Sequence, residues 1–420
     1  MPREDFASSS QRFIFEKFSE YYNNPSTDLK APFSIGQREF AFLLFKDKIM
    51  TRHKSFGTVD RLRSYINAVH PSDVYNSCAY YENPETEMDK KGWLGADLVF
   101  DIDADHIPTT CSKIHDEWIC KNCNFEGRGI TPESCPVCES QKFDTKTWPC
   151  EICLNSAKQE TRKVIDMLKI DFGLADEAIH VFFSGHRGYH IQVESNNVRM
   201  LNAMARKEIV DYVSGLGLNI FENDHREGRS SIKKKHTTFS LPPYGWGARL
   251  REGIRRFILQ VSKDDLRGIG IKVSPDLILQ NKEVIIKRCL EENKWASIRG
   301  VSVETWSKIT EHVRNLESAK IDTVVTTDIH RLIRSNGSLH GKTGLKKLEF
   351  PPSHLKSFDP FMEAVAFKEG KVKLLVESAP RFKICNEEFG PYHDEKVDLP
   401  TSAAVLLICK GRGEVLKENV

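Results

Sequence analysis

Apolar positions along the chain repeat with two periods, and each change of period marks a boundary. Near the N-terminus Phe13, Ile14, Phe18, Tyr21 and Tyr22 recur at helical spacing behind Ser8-Ser9-Ser10, which predicts a capped helix. Arg38 to Phe45 reads as a strand. Thr58 to His70 reads as a second helix, ended by Pro71. Strands are expected near Val74–Tyr81 and at Leu98–Asp103. A cysteine-rich insert occupies residues 106–154, and Asn155 to Ile170 returns to a helix with Val164, Ile165 and Leu168 on one face. Ala178–Phe183, a turn at Ser184–Gly188 and Tyr189–Val193 read as a hairpin. Residues 196–318 change character: helical patterns near 198–216, 276–293 and 304–317 flank a polar, basic stretch at 225–256. From Ile321 the chain is α/β again. No regular βαβ rhythm runs through it, so mixed rather than purely parallel sheets are expected. The organisation this predicts is a core of residues 1–105, 155–195 and 319–420, an insert at 106–154, and a mostly helical subdomain at 196–318.

Composition narrows the class. The chain has 420 residues, 40% hydrophobic and 29% charged, room for two or three domains. A net charge of +2 says nothing of partners as a total. No apolar run has the length of a membrane span, and Met1-Pro2-Arg3-Glu4-Asp5 opens no signal region, so no membrane association is expected. The expected location is the cytoplasm, or the nucleus if the source is a eukaryote. Six of the 11 cysteines form three Cys-x-x-Cys pairs between Cys120 and Cys153, a spacing that signals metal before disulfide. Cys78, Cys289, Cys385 and Cys409 are scattered and read as core.

The strongest chemical signal ends the Leu98–Asp103 strand. Residues i and i+2 of a strand share a face and lie roughly 6.6 Å apart. Asp101 and Asp103 therefore point the same way from a rigid element. Paired carboxylates suit hard divalent cations, and two such ions about 3.5–4 Å apart serve nucleotidyl and phosphoryl transfer. The plainer alternative is a strand running out into the polar turn Ala104-Asp105-His106.

Cys120, Cys123, Cys135 and Cys138 have the spacing of a zinc ribbon, with Gly127, Gly129, Pro132 and Pro136 fitting its tight turns. Cys150 and Cys153 then need partners. Cys111 and His115 are the nearest, with His106 and Asp116 as substitutes for His115. One or two structural zinc ions are expected, closed to chemistry.

The turn Ser184-Gly185-His186-Arg187-Gly188-Tyr189-His190 gathers groups that handle phosphate. Glycines allow close backbone approach, Arg187 offers bidentate contacts, and Ser184 and His190 can donate hydrogen bonds. Arg331, Arg334, His340 and Lys342, beside Gly341 and Gly344, repeat that chemistry. Two such basic segments with an acidic pair suit a nucleoside triphosphate. Neither matches a Walker loop or a Rossmann fingerprint, which argues against ordinary ATPases, GTPases and dehydrogenases.

Together, from about residue 11 to the end, these motifs resemble the catalytic (small) subunit of the archaeo-eukaryotic DNA primases. Phe100-Asp101-Ile102-Asp103 is similar to the family's paired metal-binding aspartates. Ser184 through His190 is similar to its Ser-Gly-x-Arg-Gly-x-His motif. Ile321-Asp322 through Arg334 to His340-Gly341-Lys342-Thr343-Gly344 is similar to its C-terminal motif. The resemblance implies Asp322 as third carboxylate, with Asp328 the runner-up, Arg334 as the basic residue and His340 as phosphate ligand. Arg38-Glu39-Phe40 and Arg52 also look like family positions near the active site. The extra ribbon departs from the family's usual single zinc knuckle and looks archaeal.

The resemblance implies an α/β (α+β) mixed-sheet primase core carrying a zinc insert. It implies a nucleotidyltransferase that makes RNA primers de novo on single-stranded DNA from ribonucleoside triphosphates. Mg²⁺ or Mn²⁺ would sit on Asp101, Asp103 and Asp322, and Ser184, Arg187, His190, Arg334 and His340 would hold the nucleotide. The implied partner is a large subunit with an iron–sulfur cluster, in a heterodimer. A primase-polymerase or end-joining polymerase is the alternative within enzymes; a zinc-ribbon nucleic-acid-binding protein is the alternative outside them. The 225–256 stretch, nine Lys or Arg (Lys233, Lys234, Lys235, Arg255 and Arg256 among them) against two Glu, reads either as a template contact or as a solvated loop. Tyr244 and Trp246 within it either stack on bases or pack against their own subdomain.

Overall fold

Ser8 opens the first helix as expected: its side chain accepts the Gln11 N–H, and Ser9–Asn23 follows. Ile14, Phe18 and Tyr22 lie one turn apart on a single face. They pack on Phe40 and Phe42, on Leu62 and Ile66 of the helix Val59–Val69, and on Val74. Fully burying a side chain of this size contributes about 1.5–3 kcal/mol, so this cluster anchors the first sheet.

The computed structural model describes residues 8–45, 49–218, 221–222, 238–239, 241–293 and 298–416. They form an α/β architecture whose contacts divide it into two units, 1–162, 175–207 and 321–420 in one and 163–174 and 208–320 in the other. Every strand pair described is antiparallel, a larger departure from parallel βαβ units than the expected mixture. No helix among the described residues is long and apolar enough to cross a membrane.

In the first unit one sheet runs in the order Leu332–Arg334, Pro71–Ser77, Phe40–Leu44, Met50–Lys54. A second runs Leu348–Phe350, Ile179–Phe183, Gly188–Val193, Leu98–Asp103. The segment after residue 331 thus supplies an edge strand to each sheet, and the turn-rich loop 335–347 between them is held at both ends. A third sheet joins Lys371–Ala379 to Tyr392–Pro400 and Gly413–Val415, beside the apolar helix Thr401–Cys409. The ribbon folds as a small sheet of Glu126–Arg128, Glu117–Cys120 and Phe143–Lys146.

The second unit is mostly helical. Gly245–Gln260 forms a helix within the region that sequence patterning left as polar. Trp246, Leu250, Ile254 and Ile258 recur every four residues and are buried. Four arginines on the same helix mask that stripe in the sequence. Three have carboxylate partners: Arg249 reaches Asp171 at 2.8 Å, Arg256 reaches Glu317 at 2.7 Å and Arg255 lies 3.5 Å from Glu291; Arg251 donates to the Leu241 carbonyl. The Trp246 indole donates to the Tyr212 carbonyl at 2.8 Å, so this ring packs within its own unit; Tyr244 is exposed. Lys233, Lys234 and Lys235 lie outside the described residues. The predicted helix 276–293 is broken into Pro275–Gln280, Lys282–Val284 and a wider-wound turn at Ile285–Glu291.

Candidate active site

The strand Leu98–Asp103 lies beside Gly188–Val193, with Asp101 opposite His190 and Asp103 opposite Gly188. Gly188 is required by that register. A Cβ there would fall 2.3 Å from the Ile102 carbonyl oxygen and 3.0 Å from the Asp103 Cα. Only a residue without a side chain lets the hairpin approach the aspartate strand this closely. Gly185 does the same for the other basic segment. It sits at φ +88°, and a Cβ would meet the Cβ of His340 at 3.0 Å. Its carbonyl accepts the Thr343 hydroxyl, so the two glycine-rich segments, 158 residues apart, meet at one point.

Three carboxylates gather at the end of the aspartate strand. The Asp322 N–H donates to the Asp101 carbonyl at 2.8 Å. The Asp322 carboxylate accepts the Val324 N–H at 2.9 Å, and Asp103 accepts the Asp105 N–H at 2.9 Å. Each flanking carboxylate is oriented through one oxygen, which leaves the other available. Burial, with Asp103 and Asp322 nearby, pushes the Asp101 carboxyl up to about 7. Burial also raises Asp103, with Asp105 as a second cause. Such mutual repulsion suits a site that a divalent cation neutralises. Asp328 caps the turn before His330 through its backbone N–H at 2.9 Å, and among the causes of the Asp101 shift it is Asp322 that appears.

The nucleotide-binding candidates separate into two groups. Arg334 and His340 line a cavity of about 1090 Å³, together with Asp73, Asp103, Asp105, His186 and Lys342. Arg334 is held on Asp73 and on the Leu339 carbonyl, and its guanidinium lies 5.1 Å from the centre of the Tyr75 ring. His340 accepts the Lys342 N–H at Nδ1, 3.1 Å, which places its proton on Nε2. Its imidazole is held well below its ordinary pKa, first by burial and then by Arg334.

The hairpin candidates Ser184, His190 and Arg187 lie outside that lining. Ser184 Oγ accepts the His186 and Gly188 N–H groups, both at 3.3 Å, and locks the turn. His190 lies 3.4 Å from Asp101, and burial with Lys347, Arg334 and Arg331 keeps it neutral. Arg187 departs furthest from the expected phosphate contact. Its side chain is fully buried, with Nη1 2.6 Å from Asp116 and 3.0 Å from Asp105, and Nη2 donates to the Cys153 sulfur at 3.8 Å. Two carboxylates already occupy this guanidinium, so it ties the hairpin to the cysteine-rich insert.

In that insert the side chains form two quartets, Cys111, His115, Cys150 and Cys153, and Cys120, Cys123, Cys135 and Cys138. The ligand atoms of each lie within 4.8 Å of one another. Tetrahedral Zn–S bonds of about 2.3 Å and Zn–N bonds of about 2.0–2.1 Å require S···S near 3.7 Å and S···N near 3.5 Å. Cys120–Cys138 and Cys123–Cys135 lie 3.6 Å apart, Cys111–Cys153 3.5 Å, and His115 Nε2 3.5 and 3.4 Å from Cys111 and Cys153. Both quartets fit zinc. Asp116 is no ligand. It lies 2.7 Å from His115 Nδ1 and orients the ring while also receiving Arg187.

Sequence reading missed Lys347 and Asp73. Lys347 looks like half of a surface Lys-Lys pair. Yet it is buried, donates to the Arg334 carbonyl at 2.6 Å, and is pushed down to about 7 by burial and Arg334. Asp73 looks like a turn residue but receives Arg334 and the Gly341 N–H. Arg38 and Glu39 are buried, with Arg38 2.7 Å from Asp97 and Glu39 2.7 Å from the buried Lys91; Glu39 also meets the exposed Arg52 at 3.2 Å.

Known proteins match this chain over nearly its whole length. The family model for the DNA primase small subunit matches residues 141–350. The DNA primase small subunit PriS of Nitrosopumilus maritimus is 31% identical over 402 residues, covering 95% of this chain and 97% of that protein. PriS of Methanothrix thermoacetophila is 32% identical over 429 residues, covering 97% and 99%. PriS of Archaeoglobus fulgidus is 33% identical over 405 residues, covering 95% and 97%. With its aspartate strand, glycine hairpin and C-terminal basic loop brought together as described, the chain belongs to the DNA primase small subunit family and is of the archaeal kind.

Proposed function

We propose that this chain is the catalytic subunit of a DNA primase, synthesising short RNA primers de novo on single-stranded DNA from ribonucleoside triphosphates. The observation that carries the reading is the convergence of Asp101, Asp103 and Asp322 beside a cavity walled by Arg334, His340 and Lys342. Held by those carboxylates, two Mg²⁺ or Mn²⁺ ions would supply the Lewis acidity for attack by a 3′-hydroxyl and departure of pyrophosphate. The remaining work falls to the chain's own groups. Arg334 contributes fixed positive charge at the triphosphate, already oriented by Asp73 and the Leu339 carbonyl. His340 presents its Nε2–H. His190 stands against Asp101 and helps fix that carboxylate. Ser184 and the two glycines hold the hairpin in register, and Arg187 couples it to a zinc site with a structural role. The partners are a DNA template and a primase large subunit; an iron–sulfur cluster in that subunit rests on the family resemblance alone.

The test is synthesis on single-stranded template with labelled ribonucleotides, Mg²⁺ or Mn²⁺, and no primer. Products that require a supplied primer would favour the polymerase alternative, and template binding without synthesis would favour the zinc-ribbon binding module.

A further inference from the structure

The helix Thr401–Cys409 ends at Lys410, in a segment that no motif singled out. Its ammonium reaches Nε2 of His186, at 2.6 Å. When protonated, the Lys410 ammonium has donors and no acceptor, so Nε2 of His186 then accepts and the imidazole proton sits on Nδ1; the Thr147 hydroxyl lies 3.3 Å from the same nitrogen. His186 in turn stacks on His340, with ring centres 5.0 Å apart and planes 23° from parallel. His340 carries the opposite tautomer, with its Nδ1 fixed by the Lys342 N–H. Both rings line the cavity beside Arg334 and Lys342. Burial and the cations around them hold both imidazoles neutral, burial and Arg187 push Lys410 down to about 7, and Lys410 forms no ion pair among the described residues. Two stacked neutral imidazoles, each with one N–H fixed by a donor at its other nitrogen, beside Lys342 and Lys410, which form no ion pair among the described residues, make a receptor for a polyanion.

We propose that Lys410 is a positioning residue of the nucleotide site: it holds His186 as an Nδ1–H donor to the triphosphate and adds its own charge behind that ring. The proposal rests on the reading of this cavity as the triphosphate site. Loss of a hydrogen bond to a charged group corresponds to roughly tenfold or more in affinity.

The experiment uses the full chain and the variants Lys410→Met, Lys410→Gln and Lys410→Arg, with His340→Ala as reference. ATP and AMP are titrated with Mg²⁺, and histidine tautomers are read by NMR on ¹⁵N-histidine protein, with His186 assigned through His186→Gln. Wild type is expected to show an unprotonated Nε2 on His186. Lys410→Met should lose that signature and bind ATP about tenfold more weakly, with AMP binding and single-strand binding little changed. Lys410→Gln retains a donor without charge, so it should keep the tautomer and lose only part of the ATP affinity. Lys410→Arg should restore most of both. If Lys410→Met fails to fold, the Gln and Arg variants carry the same comparison. An unaltered ATP affinity in Lys410→Gln and Lys410→Met, or a wild-type His186 protonated at Nε2, overturns the role of Lys410. An ATP affinity unaltered in His340→Ala as well overturns the placement of the triphosphate itself.

Discussion

Asp101 shows how position on a strand becomes chemistry. Its alternation with Asp103 was legible in the sequence, because a period of two leaves no freedom in which face they share. Its raised pKa was not, because that depends first on burial and, beyond Asp103, on Asp322, 221 residues away and joined to Asp101 by a backbone hydrogen bond. The consequence is testable. A carboxyl near 7 in the folded chain, against about 3.9 unfolded, stays protonated where the unfolded chain has ionised. Metal-free protein should therefore lose stability as pH rises from about 4 to about 7, at up to about 1.4 kcal/mol per pH unit. Asp101→Asn should remove that slope, and saturating Mg²⁺ should restore stability above pH 7 in wild type only. Thermal melts at pH 5 and pH 8, with and without metal, read both; equal slopes in the two proteins would show that Asp101 is not repelled in this way. Arg187 teaches the opposite lesson. Its motif suggested phosphate, but its burial against Asp116 and Asp105 was invisible without the fold. Removing one partner of a buried pair costs about 3–5 kcal/mol, so Arg187→Ala should lower the melting temperature and loosen the Cys111, His115, Cys150, Cys153 site. His340→Ala should instead leave stability intact and raise the nucleotide requirement roughly 10- to 150-fold. Nucleotide titrations beside melting curves separate the two.

At the scale of elements, the first two helices, the hairpin and the aspartate strand were legible because capping residues and clean periods coincide there. The helix Gly245–Gln260 was hidden because its arginines outweigh the apolar stripe of Trp246, Leu250, Ile254 and Ile258, and those arginines are matched largely by carboxylates. The Cys120, Cys123, Cys135, Cys138 quartet was legible from spacing; for the other, spacing left His106 and Asp116 beside His115 as candidates, and the packing brought in His115 together with the Asp116 and Arg187 link between insert and hairpin. Two zinc ions per chain are expected by metal analysis. Cys150→Ser and Cys120→Ser should each leave one, and a count of one in wild type would leave a single quartet functional. The hairpin's register makes a further demand. Gly188→Ala would drive a methyl into the Ile102 carbonyl and force the aspartate strand aside. Overpacking of this kind costs about 1–3 kcal/mol, and synthesis should fall far more than stability does. A folded Gly188→Ala protein with normal activity would mean that the placement of Asp103 tolerates movement.

Across the whole molecule, residues from three distant parts of the chain meet at one cavity edge, and the relatives match over the same span. What the sequence could not convey was which of its basic residues face that cavity. Burial sorted Arg334 and His340 into its lining, kept Arg187 out of it, and set Lys347 and Lys410, which belong to no motif, against the Arg334 carbonyl and His186. The central claim is that this arrangement begins RNA chains. The most direct measurement gives the purified chain, alone and with its large subunit, single-stranded DNA, labelled ribonucleotides and Mg²⁺ or Mn²⁺, with no primer. Short labelled products that retain a 5′-triphosphate are predicted from wild type and none from Asp101→Asn. Absence of unprimed product from wild type under every condition, or equal product from Asp101→Asn, would contradict it.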